Sequence, residues 1–270
     1  MSINEEGFLS PDISQWITKH RKDNSGWFSL TDQLNRLGQR LMLTSKPPQE
    51  DNQKILIAFY FVRVLSAFQG IIFLAERGMT VEAQTLARSC LETVFCISAI
   101  AEDPDFYKHL IDADTGHKTK AANRLIALPD ALKGLTPEQT KNIENFVQSR
   151  NESENKGVDL NLYLAASKGG LSDIYDTLYR YLSNKAAHPS LAALDRYFSE
   201  HKIKWGPDVD DVAETLSAAS MALLSAIKLF AKILGQDNYG QDIEACWNTY
   251  QTLIEEQTKE VDIEMSKVAT

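Results

Sequence analysis

The chain has 270 residues, 43% apolar and 24% charged, with a net charge of -9, the makeup of a folded globular protein with a substantial core. That acidity opposes broad attraction to nucleic acid or to anionic membrane, both of which select basic surfaces. The three cysteines, Cys90, Cys96 and Cys246, form neither a metal-ligand spacing nor a disulfide framework, which points to a reducing cytoplasmic setting in which they act as small core residues.

The N-terminal MSINEEGFLSPD has no signal-peptide pattern. Ser10-Pro11 starts a short helix carrying Ile13, Trp16 and Ile17 to about His20, because serine caps free amides and proline suits the first helical position. A second amphipathic helix runs from Phe28 to Met42, and Pro47-Pro48 break the chain before a long helix from about Asn52 to Glu76. Arg63 and Gln69 interrupt its apolar stretch, so it reads as a buried helix rather than a membrane span. Gly78 closes that helix and Thr80 caps the next, to about Ala101.

Asp103-Pro104 opens a helix toward Leu125, with a kink expected near Gly116 and a looser connection at Pro129 and Gly134. Thr136-Pro137-Glu138-Gln139 forms a capping box for a helix to about Arg150. NESENKG, residues 151–157, is an exposed excursion. Leu171 to Leu182 is helical, as are about Leu191 to Glu200, Val209 to Leu234 with Gly235 as terminator, and Tyr239 to Glu260. No strand run is present. The expected fold is an all-α helical bundle of long antiparallel helices, with residues 1–48 peripheral, 49–235 the core and 236–270 a C-terminal helix packed on it.

Two polar clusters interrupt this apolar pattern. Arg88 and Glu92 lie one turn apart in a helix whose broad side carries Ala83, Ala87, Cys90, Leu91, Val94 and Ile97, and they share the other side with Val81 and Phe95. They form either a structural ion pair or a pocket in which Arg88 binds an anion while Glu92 holds its guanidinium. The second cluster comprises Tyr179, Ser183, Asn184 and His188. His188 either serves proton transfer, oriented by Ser183 or Tyr179, or caps the preceding helix. No GxSxG elbow is present. Lys108, His109, His117, Lys118, Lys120 and Arg124 are the one basic concentration, a solvated face or a contact surface for a phosphate backbone.

The RSxxE of Arg88–Glu92 together with LSNKAAHPS, Leu182–Ser190, resembles an uncharacterised bacterial family of all-helical proteins. That family is similar in layout to the HEPN superfamily, whose members include dimeric ribonucleases, toxins and phage-defence components. The superfamily's usual signature separates Arg from His by four to six intervening residues. Here Arg180 is followed by seven residues before His188, and its neighbour is Tyr181. The resemblance implies a metal-independent ribonuclease or toxin in bacterial defence, acting as a homodimer on RNA or a phosphate-containing ligand. His188 would be the acid/base, Arg88 or Arg180 would stabilise the phosphate, and Glu92 and Asn184 would organise them. Tyr179 and Ser183 would complete the binding site. No cofactor, metal or membrane is expected. The alternatives are a non-catalytic interaction or scaffold module and a small-anion-binding module.

Overall fold

The computed structural model describes residues 2–47, 50–152, 158–188, 190–199 and 202–268. Pro48, residues 153–157 of the expected excursion, Pro189, Glu200 and His201 lie outside the described residues. The fold is all-α, built of long helices packed extensively against one another. In chain order these are α1 (Ile13–Asp23), α2 (Ser25–Thr44), α3 (Asn52–Ala75), α4 (Thr80–Glu102), α5 (Tyr107–Ala127), α6 (Pro137–Asn151), α7 (Leu162–Lys168), α8 (Val212–Leu234) and α9 (Gly240–Val268). Between α7 and α8 the chain winds through a mixed α/π segment, residues 172–187, and a small antiparallel hairpin.

The centre is a three-helix contact of α3, α4 and α8, and the sequence pattern explains it. In α3 the buried side chains Ile57, Phe61, Val64, Phe68, Ile71 and Ala75 recur every three or four residues and form one stripe. Asp51 starts this helix by accepting the Lys54 amide at 3.0 Å. In α8, Leu216, Leu223, Ile227 and Phe230 are fully buried, and the small residues Ala218, Ala219, Ser220 and Ala222 between them permit close approach. Phe61 and Phe230 stack with centroids 4.2 Å apart across the α3–α8 contact. Each such large side chain contributes about 1.5–3 kcal/mol on burial. α2 adds Leu30, Leu34, Leu37 and Leu41 to the same core, and the α9 stripe of Ile243, Cys246 and Tyr250 closes it from outside.

Two glycines are required by close approach. A Cβ on Gly169, at the end of α7, would sit 2.4 Å from the Ser98 Cβ on α4. One on Gly78, at a φ of +72°, would lie 2.5 Å from the Asp208 amide nitrogen. Gly235 ends α8 in the left-handed conformation and Thr136 caps α6 with a complete capping box, both as expected.

Several local expectations are corrected. Thr80 is the first residue of α4 rather than its cap, and its hydroxyl accepts from Arg196 at 2.9 Å. Residues 171–182 do not form a plain α-helix: π turns span Tyr175–Tyr179 and Ser183–Ala187. The expected helix from Leu191 is only Leu191–Leu194 with a 3-10 turn at Asp195–Tyr197, followed by strands β1 (Phe198–Ser199) and β2 (Lys202–Ile203). α8 begins at Val212, three residues later than Val209, because Asp211 takes a left-handed φ of 59° and blocks earlier winding.

α3 and α8 are long and apolar enough to cross a membrane by length and composition, and 44% and 61% of their most apolar windows are buried inside the bundle. Phe59, Val62 and Phe73 remain exposed along α3.

Candidate functional site

α4 is enclosed on most sides, with Ala83, Ala87, Cys90, Leu91, Val94, Phe95 and Ile97 buried. Its polar pair therefore faces another element, the 172–187 segment. Phe95, on the same side as the pair, is fully buried beneath Tyr175 and Tyr179, with ring centroids 5.8 and 5.7 Å away. Above it, Arg88 Nε donates to Ser183 Oγ at 2.8 Å and Arg88 Nη2 donates to the Tyr179 hydroxyl at 2.8 Å. The same Nη2 lies 3.0 Å from Glu92 Oε1, and the Tyr179 hydroxyl donates to that oxygen at 3.0 Å. Four of the seven sequence-derived site residues thus meet in one hydrogen-bonded clamp. Burial raises the Tyr179 phenol above its ordinary range, with the Glu92 charge adding to the effect, so its proton stays in place.

The π winding makes this meeting possible. A π turn hydrogen-bonds five residues back, and single π turns recur at functional sites. The His188 amide donates to the Ser183 carbonyl at 3.2 Å in that pattern. The Ser183 hydroxyl donates to the Tyr179 carbonyl at 2.8 Å while accepting from Arg88, so one side chain ties the segment to itself and to α4.

A second network, which no sequence signal singled out, anchors the other end of the segment. Lys185 pairs with Asp211 at 3.0 Å and Glu214 at 3.4 Å, and it contacts the Tyr181 hydroxyl. Burial alone would lower the Lys185 pKa, but its bonds to Tyr181 and Asp211 and the nearby carboxylates raise it, so this ammonium stays charged. Arg196 bridges Gln84 at 3.1 Å, Thr80 at 2.9 Å and Asp211 at 3.0 Å. The segment is therefore clamped to both α4 and α8.

Beside the Arg88 clamp, Glu92 also lines an open cleft of about 320 Å³. Tyr60 and Arg63 of α3 form one wall, Glu92, Thr93 and Cys96 of α4 the floor, and His117 of α5 with Leu160 and Leu162 the remainder. Lys120 and Asp159, 2.6 Å apart, fasten the chain before α7 over α5. Arg63 is exposed and, among the described residues, makes no ion pair or hydrogen bond. Burial pushes the Tyr60 phenol and the Cys96 thiol up to about 12, with Glu92 adding to the Cys96 shift. Cys96 is therefore a neutral thiol and no nucleophile. Arg63 and His117 were present in the sequence as an arginine inside an apolar run and a histidine beside lysines. The first is the same kind of signal that marks Arg88.

The remaining sequence-derived residues stand apart from the clamp. The Arg180 Nε pairs with Asp176 Oδ1 at 3.0 Å, and its guanidinium lies 5.7 Å from the Tyr175 ring centroid. Asn184 and His188 are exposed, and neither side chain bonds to the clamp among the described residues. The basic face is largely neutralised: Lys108 pairs with Asp105, Lys118 with Asp114 and Lys120 with Asp159. Among the described residues no group of three or more His, Cys, Asp or Glu is placed to hold a metal ion.

No curated protein and no solved structure matches the chain. A family model described as a family of unknown function, DUF5677, matches residues 54–204. That span includes the whole clamp and every residue lining the cleft beside it. It covers more than half of the 270 residues, and the chain belongs to this family of unknown function.

Proposed function

We propose that this protein is a non-catalytic binding module, in which the Arg88–Glu92–Tyr179–Ser183 clamp is the rigid wall of a ligand cleft rather than a reaction centre. The observation that carries the reading is the closure of the clamp. Arg88 spends its Nε on Ser183 and its Nη2 on Tyr179 and Glu92, and the Tyr179 hydroxyl both accepts and donates within the group. An arginine whose Nε and Nη2 are already committed leaves only Nη1 for a developing charge, and transition-state stabilisation needs donors aimed at the reacting atoms. In this reading the module works in the cytoplasm, off the membrane and as a homodimer, with the exposed Phe59, Val62 and Phe73 as the surface a second copy would cover.

The second reading is a HEPN-like, metal-independent ribonuclease or toxin. It is favoured by the exposed position of His188 and Asn184 at the end of the segment whose Tyr179 and Ser183 hold Arg88. There His188 would move the proton and Arg88 would meet the phosphate. The separation of Arg180 and the pairing of Lys108, Lys118 and Lys120 weigh against it.

Incubating the purified protein with a mixed panel of single-stranded RNA oligonucleotides separates the two. The binding-module reading expects wild type and His188→Ala to leave the RNA equally intact. Cleavage by wild type that disappears in a folded His188→Ala variant overturns it in favour of the ribonuclease.

A further inference from the structure

We propose that the cleft between α3, α4 and α5 binds a small organic anion, a carboxylate or phosphate monoester with an apolar body, and that Arg63 is the residue that holds its charge. This rests on the binding-module reading and names its ligand class.

Glu92 is acidic, but its Oε1 lies 3.0 Å from Arg88 and accepts the Tyr179 hydroxyl, so its charge is compensated from behind. Arg63 faces the cleft without a carboxylate partner among the described residues. The cleft with its clamp therefore carries one uncompensated positive charge. A guanidinium is the side chain best shaped for two-pronged recognition of carboxylate or phosphate.

The neutral groups fit the same ligand. The Tyr60 phenol, with its pKa near 12, stays protonated and can donate a hydrogen bond. His117 supplies a second polar group from α5. The Thr93 hydroxyl is turned to its own helix, donating to the Ser89 carbonyl at 3.1 Å, and offers an acceptor oxygen instead. Leu160 and Leu162 give the apolar wall for a carbon body, which inorganic phosphate lacks. A volume of about 320 Å³ is at the small end of ligand pockets and suits a metabolite rather than a polymer. Arg63 is not needed for folding, since it is exposed and bonds to nothing among the described residues.

The test is isothermal titration of the purified full chain with hexanoate, a nucleoside 5′-monophosphate and inorganic phosphate, in parallel with thermal denaturation. The variants are Arg63→Gln, Arg63→Lys and Arg124→Gln, the last removing an exposed charge outside the cleft. Saturable binding of at least one organic anion is expected, with hexanoate or the nucleotide telling carboxylate from phosphate preference. Loss of a charge-assisted bidentate contact should weaken that binding at least about tenfold in Arg63→Gln. Arg63→Lys should fall between, and Arg124→Gln should match wild type. Absence of saturable binding by every probe overturns the proposal. So does binding that survives in Arg63→Gln or weakens equally in Arg124→Gln. Those outcomes leave the non-catalytic reading standing, because that reading fails only on His188-dependent cleavage of RNA.

Discussion

Arg88 and Arg63 each interrupt an apolar helix, and the fold treats them in opposite ways. Arg88 on α4 bonds to Ser183, Tyr179 and Glu92 and joins elements about ninety residues apart in sequence. Arg63 on α3 faces the neighbouring cleft and bonds to none of the described residues. A charge inside an apolar run must be compensated where the fold covers it, as at Arg88, whereas the exposed Arg63 escapes that cost. The role differs with partners: a guanidinium bonded through its Nε and Nη2 holds the fold together, and one without partners at a cleft is free for the proposed ligand. On the binding proposal, the polar group most conspicuous in sequence is not the one that would meet the ligand.

The largest effect expected is that of Arg88→Ala. It strips Glu92, Tyr179 and Ser183 of their common donor in a partly buried site, at a cost of about 2–4 kcal/mol. For a domain of this size that lowers the melting temperature by several degrees, roughly 2–4 °C per kcal/mol. An unchanged melting temperature would erase the distinction between the two arginines. Tyr179→Phe keeps the ring against Phe95 and removes only the hydroxyl, so about 1 kcal/mol should be lost. A double-mutant cycle of Tyr179→Phe with Ser183→Ala should show a coupling of about 0.5 kcal/mol or more, since both bind the same guanidinium.

A pH scan sharpens the contrast further, because an arginine keeps its charge throughout the neutral range. His20 is the contrasting case. It is buried, stacked on Trp16 with centroids 4.2 Å apart, and its Nε2 has no partner among the described residues. Burial lowers its pKa below the ordinary 6.5, opposed by Asp23, Asp208 and a hydrogen bond with the Ala75 backbone. The unfolded chain then binds the proton more readily than the folded one. The stability tied to the neutral ring is complete above about pH 6.5 and is lost as the pH falls through that value toward the lowered one. Denaturant titrations at several pH values should show this slope, and His20→Asn should flatten it. The smallest effect expected on stability is that of Arg63→Gln, within about 0.5 kcal/mol of wild type in the absence of ligand.

Most of the bundle was legible because its helices obey one rule, an apolar residue every three or four positions, bounded by caps such as Thr136 and Gly235. The π turns at 175–187 were not legible, since local composition there suits an α-helix equally well. The contacts that accompany this winding, Arg88 with Ser183 and Lys185 with Asp211 and Glu214, are all long-range. The hairpin at β1 and β2 is too short to carry an alternating pattern. Arg88, Glu92, Tyr179 and Ser183 were visible as polar interruptions, but which distant groups would touch depends on the crossing of α4 with the 172–187 segment. Arg180 and the α5 lysines show the converse: cations visible in sequence, each absorbed by a nearby carboxylate.

Thermal denaturation of wild type, Arg88→Ala and Arg63→Gln, each with and without a saturating organic anion, tests the division between the two arginines most directly. Arg88→Ala should melt several degrees lower without ligand, whereas Arg63→Gln should melt like wild type and lose only the ligand-induced rise. An Arg63→Gln protein that is itself destabilised yet still responds to the anion, beside an Arg88→Ala protein of normal stability, would contradict that division.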